Sequence, residues 1–283
     1  MVYVGLDVHK GFSRMGVFNP ADGELRDLGN VRNEPSELAA QLAQVPDPKT
    51  VVLEAGRQSH YWASLLERFA ERVWVVDPAV VRKLQQGVAK TDRHDATAIA
   101  FWAAKGALKP LWRPEARTLD LRELTRGKTV LTRLAVKVRV SIRTLLARHG
   151  YECPYTDLLG AKAQAWLDQV ELSGYAGWML AALRELLPIL QAKADDCEGR
   201  VAEEATAHPA AQRLMTIPGI GPFLGLALAA EIGDARRFPT PAHLRGYSGL
   251  TPKVVQSSDR DARGPLTKRG NRWLRYAARS GPS

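Results

Sequence analysis

Four carboxylates carry the chemistry that this chain suggests. Asp7 sits near the end of the apolar run Val2-Tyr3-Val4-Gly5-Leu6-Asp7-Val8, and Glu54 ends a second run, Thr50-Val51-Val52-Leu53-Glu54. Asp92 and Asp95 stand three residues apart in Thr91-Asp92-Arg93-His94-Asp95-Ala96. Short, β-branched apolar runs read as buried strands, and a strand end fixes the acid it carries. Residues i and i+3 share one helix face, with Cβ atoms about 5–6 Å apart. Carboxylate oxygens are the donors that hard cations such as Mg2+ or Mn2+ prefer. Two such ions held about 3.5–4 Å apart cleave phosphodiesters. Plainer roles compete: Asp92 as a first-turn acid favoured by the helix dipole, and Glu54 as a surface acid at a strand end. His9 and Lys10 read as edge residues rather than ligands.

The elements that must position these acids follow from pattern. Strands are expected over residues 2–8, 12–18 and 25–31, with a turn at Asn19-Pro20-Ala21-Asp22-Gly23-Glu24. A helix over 36–45, a strand over 50–54, a helix over 61–72, a strand over 73–77 and a helix over 92–105 come next. Three strands followed by alternating helix and strand imply a mixed sheet covered on both faces, as in a ribonuclease-H-like domain. Residues 118–149 read as a long helix with Leu124, Leu131, Val138 and Leu145 recurring by seven and Leu134 between them. Residues 176–205 read as a second, with Leu183, Leu190 and Cys197 in its seam, Leu187, Ala194 and Val201 beside it, and a kink at Pro188. Met215-Thr216-Ile217-Pro218-Gly219-Ile220-Gly221-Pro222 resembles the hairpin of a helix-hairpin-helix element, whose exposed N–H groups suit a phosphate. A Gly- and Pro-rich basic stretch and a last helix from Arg272 complete the chain.

Charge is concentrated. Residues 80–150 carry 16 Lys/Arg against 5 Asp/Glu, and residues 236–283 carry 11 against 2, within a net charge of +10. Two basic blocks of this density point to a polyanion, nucleic acid first. No apolar run approaches the roughly 20 residues of a membrane span, and no signal peptide is visible. Cys153 and Cys197 have neither metal nor disulfide spacing. A cytoplasmic protein, associated with the nucleoid when acting, is expected.

Taken together, the blocks resemble the DEDD-type insertion-sequence transposases, relatives of the pilin-gene DNA invertases and bridge-RNA-guided recombinases. The matching stretches are Gly5-Leu6-Asp7-Val8-His9-Lys10, the strand ending at Glu54, Thr91 to Ala96, Ile217-Pro218-Gly219-Ile220-Gly221, Gly249-Leu250-Thr251-Pro252 and Lys268-Arg269-Gly270-Asn271. They occur in the family's order over nearly the whole chain.

The resemblance implies a RuvC-like α/β domain over residues 1–110, a helical coiled-coil region over 111–208 and a small, mainly α C-terminal transposase domain over 209–283. Its four metal-binding acids fall on Asp7, Glu54, Asp92 and Asp95. It also implies a serine nucleophile. Gln256-Ser257 matches, with Ser258 where the family has glycine, so Ser257 is the first candidate and Ser258 the second. Further implications are Mg2+ or Mn2+, donor and target DNA, a structured bridge RNA as guide, and a homo-oligomer, dimer or tetramer. Family members continue through further helices, so the C-terminal domain is expected to be truncated at Ser283. The competing reading on the same fold is a structure-selective nuclease or junction resolvase that uses metal-activated water.

Overall fold

A computed structural model describes residues 1–85, 92–257, 260–267 and 270–280. It divides into two units, Met1–Arg113 and Pro114–Ser283. The first is built on a five-stranded sheet of β1 (Val2–Val8), β2 (Phe12–Asn19), β3 (Glu24–Arg32), β4 (Lys49–Glu54) and β5 (Arg72–Val76). The order is β3-β2-β1-β4-β5. β1–β2 and β2–β3 are antiparallel, whereas β1–β4 and β4–β5 are parallel. This mixed order, with helices on both faces, is that of a ribonuclease-H-like sheet.

Side-chain alternation along the strands decides what covers each face. Val4, Leu6, Val51 and Leu53 point to one side, where they pack with Leu38 and Leu42 of α1 (Pro35–Ala43) and Trp62 and Leu66 of α2 (Ser59–Leu66). Tyr3, Val52 and Val76 point to the other, against Val81 of α3 (Pro78–Leu84) and Ile99 and Ala103 of α4 (Asp92–Ala104). Two glycines bring α4 close. A Cβ on Gly5 would lie 2.0 Å from the Ala96 carbonyl oxygen, and one on Gly16 2.5 Å from the Thr97 nitrogen.

Two expectations change here. The helix expected over 61–72 ends at Leu66, because β5 takes up Arg72 as a strand residue. Helix α3 was not anticipated. Pro78 stands at its first turn, and Asp77 caps it by accepting from the Ala79 N–H at 2.8 Å.

The second unit holds α5 (Ala116–Arg148), α6 (Ala161–Leu167), α7 (Gly174–Ala207), α8 (Pro209–Met215), α9 (Pro222–Ile232), α10 (Pro241–Ser248), a hairpin of β6 (Pro252–Ser257) and β7 (Arg260–Leu266), and α11 (Arg272–Ser280). α5 and α7 run antiparallel: Arg117 pairs with Glu204, Lys128 with Glu198, and Arg139 with Gln191. The buried stripe keeps Val138 of the expected seam on α5, and Leu187, Ala194 and Val201 from beside it on α7, but not its other leucines. It runs through Leu121, Thr125, Thr129, Ala135, Val138, Ile142 and Leu146, against Leu180, Leu187, Ala194 and Val201. Leu134 is 43% exposed, and Leu124, Leu131, Leu183 and Leu190 are half-buried. A straight helix drifts about 20° per heptad, and small residues such as Ala135, Ala194 and Thr129 fill the contact instead of leucines. α7 continues through Pro188, which lies on its exposed side. Residues 216–221 form the turn between α8 and α9, and α9 packs on α5 and α7 through Leu121, Val201, Ala205 and Leu226.

Candidate active site

In the first unit, register brings two of the acids together. β1 and β4 pair in parallel up to Leu6↔Leu53, so Asp7 and Glu54 follow side by side where the two central strands end. Neighbouring strands lie about 4.8 Å apart. Asp7 has the parity of Tyr3 and Gly5, and Glu54 that of Val52, so both are on the α4 face. Direction along α4 follows from its contacts. Phe101 meets Phe18, whose partner on β1 is Tyr3, whereas Ala96 and Thr97 lie against Gly5 and Gly16. The helix therefore runs antiparallel to β1, and its first turn, Asp92 to Asp95, comes to the strand end that carries Asp7.

Asp95 is half-buried. The side chain of Asp92 is outside the described residues, although its backbone begins α4. The Asp7 carboxylate has His9 Nε2 at 3.2 Å, and that ring lies 4.7 Å from Phe12. His9 is thus in contact with a candidate ligand rather than only at an edge. Arg14 stands opposite Asp7 across the β1–β2 pair and is held by Asp27 and Asn30. Among the described residues, which leave out the Asp92 side chain, no three His, Cys, Asp or Glu side chains form a metal-binding group. The donor set itself, carboxylates at two strand ends and one helix start, suits a hard divalent cation.

In the second unit, Ser257 is the last residue of β6, and its backbone pairs with Arg260. The Ser257 side chain, all of Ser258, and Lys268 and Arg269 are outside the described residues. The base of this hairpin is tied down firmly. The Thr267 N–H donates to the Thr251 carbonyl at 2.9 Å, and the Asn271 N–H to the Tyr247 carbonyl at 2.9 Å. Gly270 is required there: its φ is +129°, and a Cβ would meet the Tyr247 oxygen at 2.3 Å. Asn271 Oδ1 accepts from the Trp273 and Leu274 N–H groups at 2.9 and 3.0 Å, which caps α11.

The other end of that amide reaches a group that sequence reasoning missed. Asn271 Nδ2 donates to Glu231 Oε2 at 2.6 Å. Glu231 is 1% exposed. Arg126 grips it with Nε and Nη2 at 2.7 and 2.9 Å, and Arg122 donates to the Ala230 and Glu231 carbonyls at 2.8 and 3.0 Å. Burial pushes the Arg122 guanidinium below its ordinary pKa, while the Glu231 charge opposes that shift. The available signal was one acid inside the otherwise apolar run Phe223 to Ile232.

The family model for DEDD transposases of the IS110 type, described as "Transposase", matches residues 4–150. A second, "Transposase IS116/IS110/IS902 family", matches residues 211–278. The chain is 29% identical over 238 residues to a "Probable family 20 transposase" of Pseudomonas aeruginosa, covering 82% of this chain and 69% of that protein. It is 24% identical over 239 residues to the "Transposase for insertion sequence element IS1328" of Yersinia enterocolitica, covering 84% and 71%. Among solved structures, T. thermophilus RuvC in complex with Holliday junction substrate is similar at 18% identity over 39% of this chain and 99% of that one, with a TM-score of 0.25. No helix among the described residues is long and apolar enough to cross a membrane.

Proposed function

This chain belongs to the IS110-type family of DEDD transposases, enzymes that act on DNA, and from that premise we propose how its residues divide the work. Asp7, Glu54, Asp92 and Asp95 hold divalent ions, Mg2+ or Mn2+. When bound, such ions polarise the scissile phosphate and offset charge on the leaving oxygen. β1 and β4 fix two of the acids, and α4 delivers the other two as a pair on one helix face. The observation that carries this reading is the placement of Asp7 beside Glu54 at adjacent strand ends, with the first turn of α4 brought to the same end.

Ser257 is the nucleophile. A hydroxyl is a weak nucleophile until its proton is removed. Its Oγ forms a bond to a DNA phosphorus as the bond from that phosphorus to the leaving sugar oxygen breaks, and the serine proton ends on that oxygen. The phosphoserine diester conserves the bond, so a new sugar hydroxyl can attack it, regenerate serine and join the exchanged strand without ATP. Donor and target DNA are the substrates. A structured bridge RNA supplies sequence recognition by base pairing, and the active form is a homo-oligomer, dimer or tetramer.

The test is trapping of covalent protein–DNA adducts with Mg2+ or Mn2+ present. Ser257→Ala is expected to remove the adduct, and Asp7→Asn or chelation of the metal to prevent cutting. Metal-dependent cutting that survives Ser257→Ala would instead establish the water-driven nuclease reading. Adducts lost only in Ser258→Ala would move the nucleophile by one residue.

A further inference from the structure

Helices α5 and α11, which carry parts of the two basic blocks and lie more than a hundred residues apart in sequence, meet on one surface of the second unit. α5 has no Asp or Glu from Leu124 to Arg148, but it has seven Lys or Arg there. Several are already committed. Arg126 is bound to Glu231, Lys128 to Glu198, Arg139 to Gln191, and Arg143 to the Tyr155 and Thr156 carbonyls. Arg133 is different. Its guanidinium carbon lies 4.5 Å from the Tyr276 ring centre and 5.9 Å from that of Trp273, both on α11. Arg272 lies 5.2 Å from the Trp273 ring centre. Lys137, four residues from Arg133, shares its helix face. Among the described residues, none of Arg133, Lys137 and Arg272 is ion-paired with a carboxylate.

An aromatic ring orients a guanidinium without neutralising it. The planar fork of N–H donors keeps its full charge and its in-plane edge for an anion, and that fork matches the oxygens of a phosphate. A carboxylate partner would have oriented the same side chain and cancelled its charge. α11 also carries no acid of its own between Arg272 and Ser280.

We propose that Arg133, held by Tyr276 and Trp273 and flanked by Lys137 and Arg272, is a clamp for the backbone phosphates of a nucleic acid. The inference rests on the reading that this chain works on polynucleotides, and adds to it the place where α5 and α11 together grip one. DNA and RNA offer the same phosphodiester, and the clamp binds that shared group.

The test uses the full chain and two fluorescent probes of equal length and random sequence, a DNA duplex and an RNA hairpin, titrated across a range of salt. For the probe that the clamp holds, Arg133→Gln lowers the slope of log affinity against log salt by about 1 and weakens binding several-fold. Tyr276→Leu keeps the charge, so it retains the slope but weakens binding. Loss confined to the duplex assigns the clamp to DNA, and loss confined to the hairpin assigns it to RNA. Unchanged affinity and slope for Arg133→Gln with both probes overturns the clamp, as does a wild-type chain that binds neither. Ser257→Ala run beside these separates the two readings. If adduct chemistry proves independent of Ser257 while the Arg133 effect persists, the clamp stands and the serine mechanism falls.

Discussion

Replacing Glu231 by glutamine keeps the size of the side chain and removes its charge. In the structure that charge is 1% exposed and receives two hydrogen bonds from Arg126 and one from Asn271. Arg122, with 7% of its side chain exposed, lies 3.6 Å away. The variant takes the Glu231 charge away from two guanidinium groups, one of them deeply buried. Removing one partner of a buried ion pair costs about 3–5 kcal/mol. At about 2–4 °C per kcal/mol for a unit of this size, the transition of residues 114–283 falls by roughly 6–20 °C. Asn271→Ala acts on the same network from the other side. It loses the α11 cap, about 1 kcal/mol, and a hydrogen bond to a charged group, about 1.5–3 kcal/mol. Because the two residues touch, their effects combine with a coupling of about 0.5–3 kcal/mol rather than adding. The assay is urea unfolding of both single variants and the double variant, with hydrogen exchange read across Pro252–Leu266. Exchange there should quicken in either variant, since the Asn271 side chain anchors the segment that follows the β6–β7 hairpin to Glu231 and to the start of α11. A Glu231→Gln chain within about 1 kcal/mol of the wild type would refute the reasoning, because no buried charge pair can be that cheap to break.

Gly5→Ala places a methyl 2.0 Å from the Ala96 carbonyl oxygen, a backbone atom, so α4 must move. Overpacking of this kind costs about 1–3 kcal/mol, and metal-dependent cutting should fall further than the melting temperature implies, because Asp92 and Asp95 move with α4; full cutting activity would show that the helix position is not required. In the α5–α7 pair, Ile142→Ala should cost about 2–5 kcal/mol and Leu134→Ala within about 0.5 kcal/mol in urea unfolding, since Ile142 is fully buried and Leu134 is 43% exposed. The opposite ranking would restore the leucine seam that the heptad spacing suggests.

Sequence alone determined whatever depends on short-range pattern. The strand runs that end at Asp7 and Glu54 are apolar enough to be buried wherever they lie, and the Asp92/Asp95 spacing puts both acids on one side of any helix. The mixed sheet followed from the order of strands and helices, and the polyanion partner from the density of Lys and Arg. Only the tertiary structure decided which strands are neighbours, and so that Asp7 and Glu54 end side by side on the face that α4 covers. Parallel pairing is a long-range choice that no local pattern encodes. The same holds for the α5–α7 contact, where small residues such as Ala135 and Ala194 do the packing and large leucines misled the periodicity. It holds most of all for Glu231, Arg126 and Asn271. An acid in an apolar helix, an arginine in a basic helix and an asparagine in a glycine-rich stretch are unremarkable separately. They become one network only when the fold buries Glu231 and brings Arg126 and Asn271, both half-buried, against it, because an ionised group can be buried only where partners come with it.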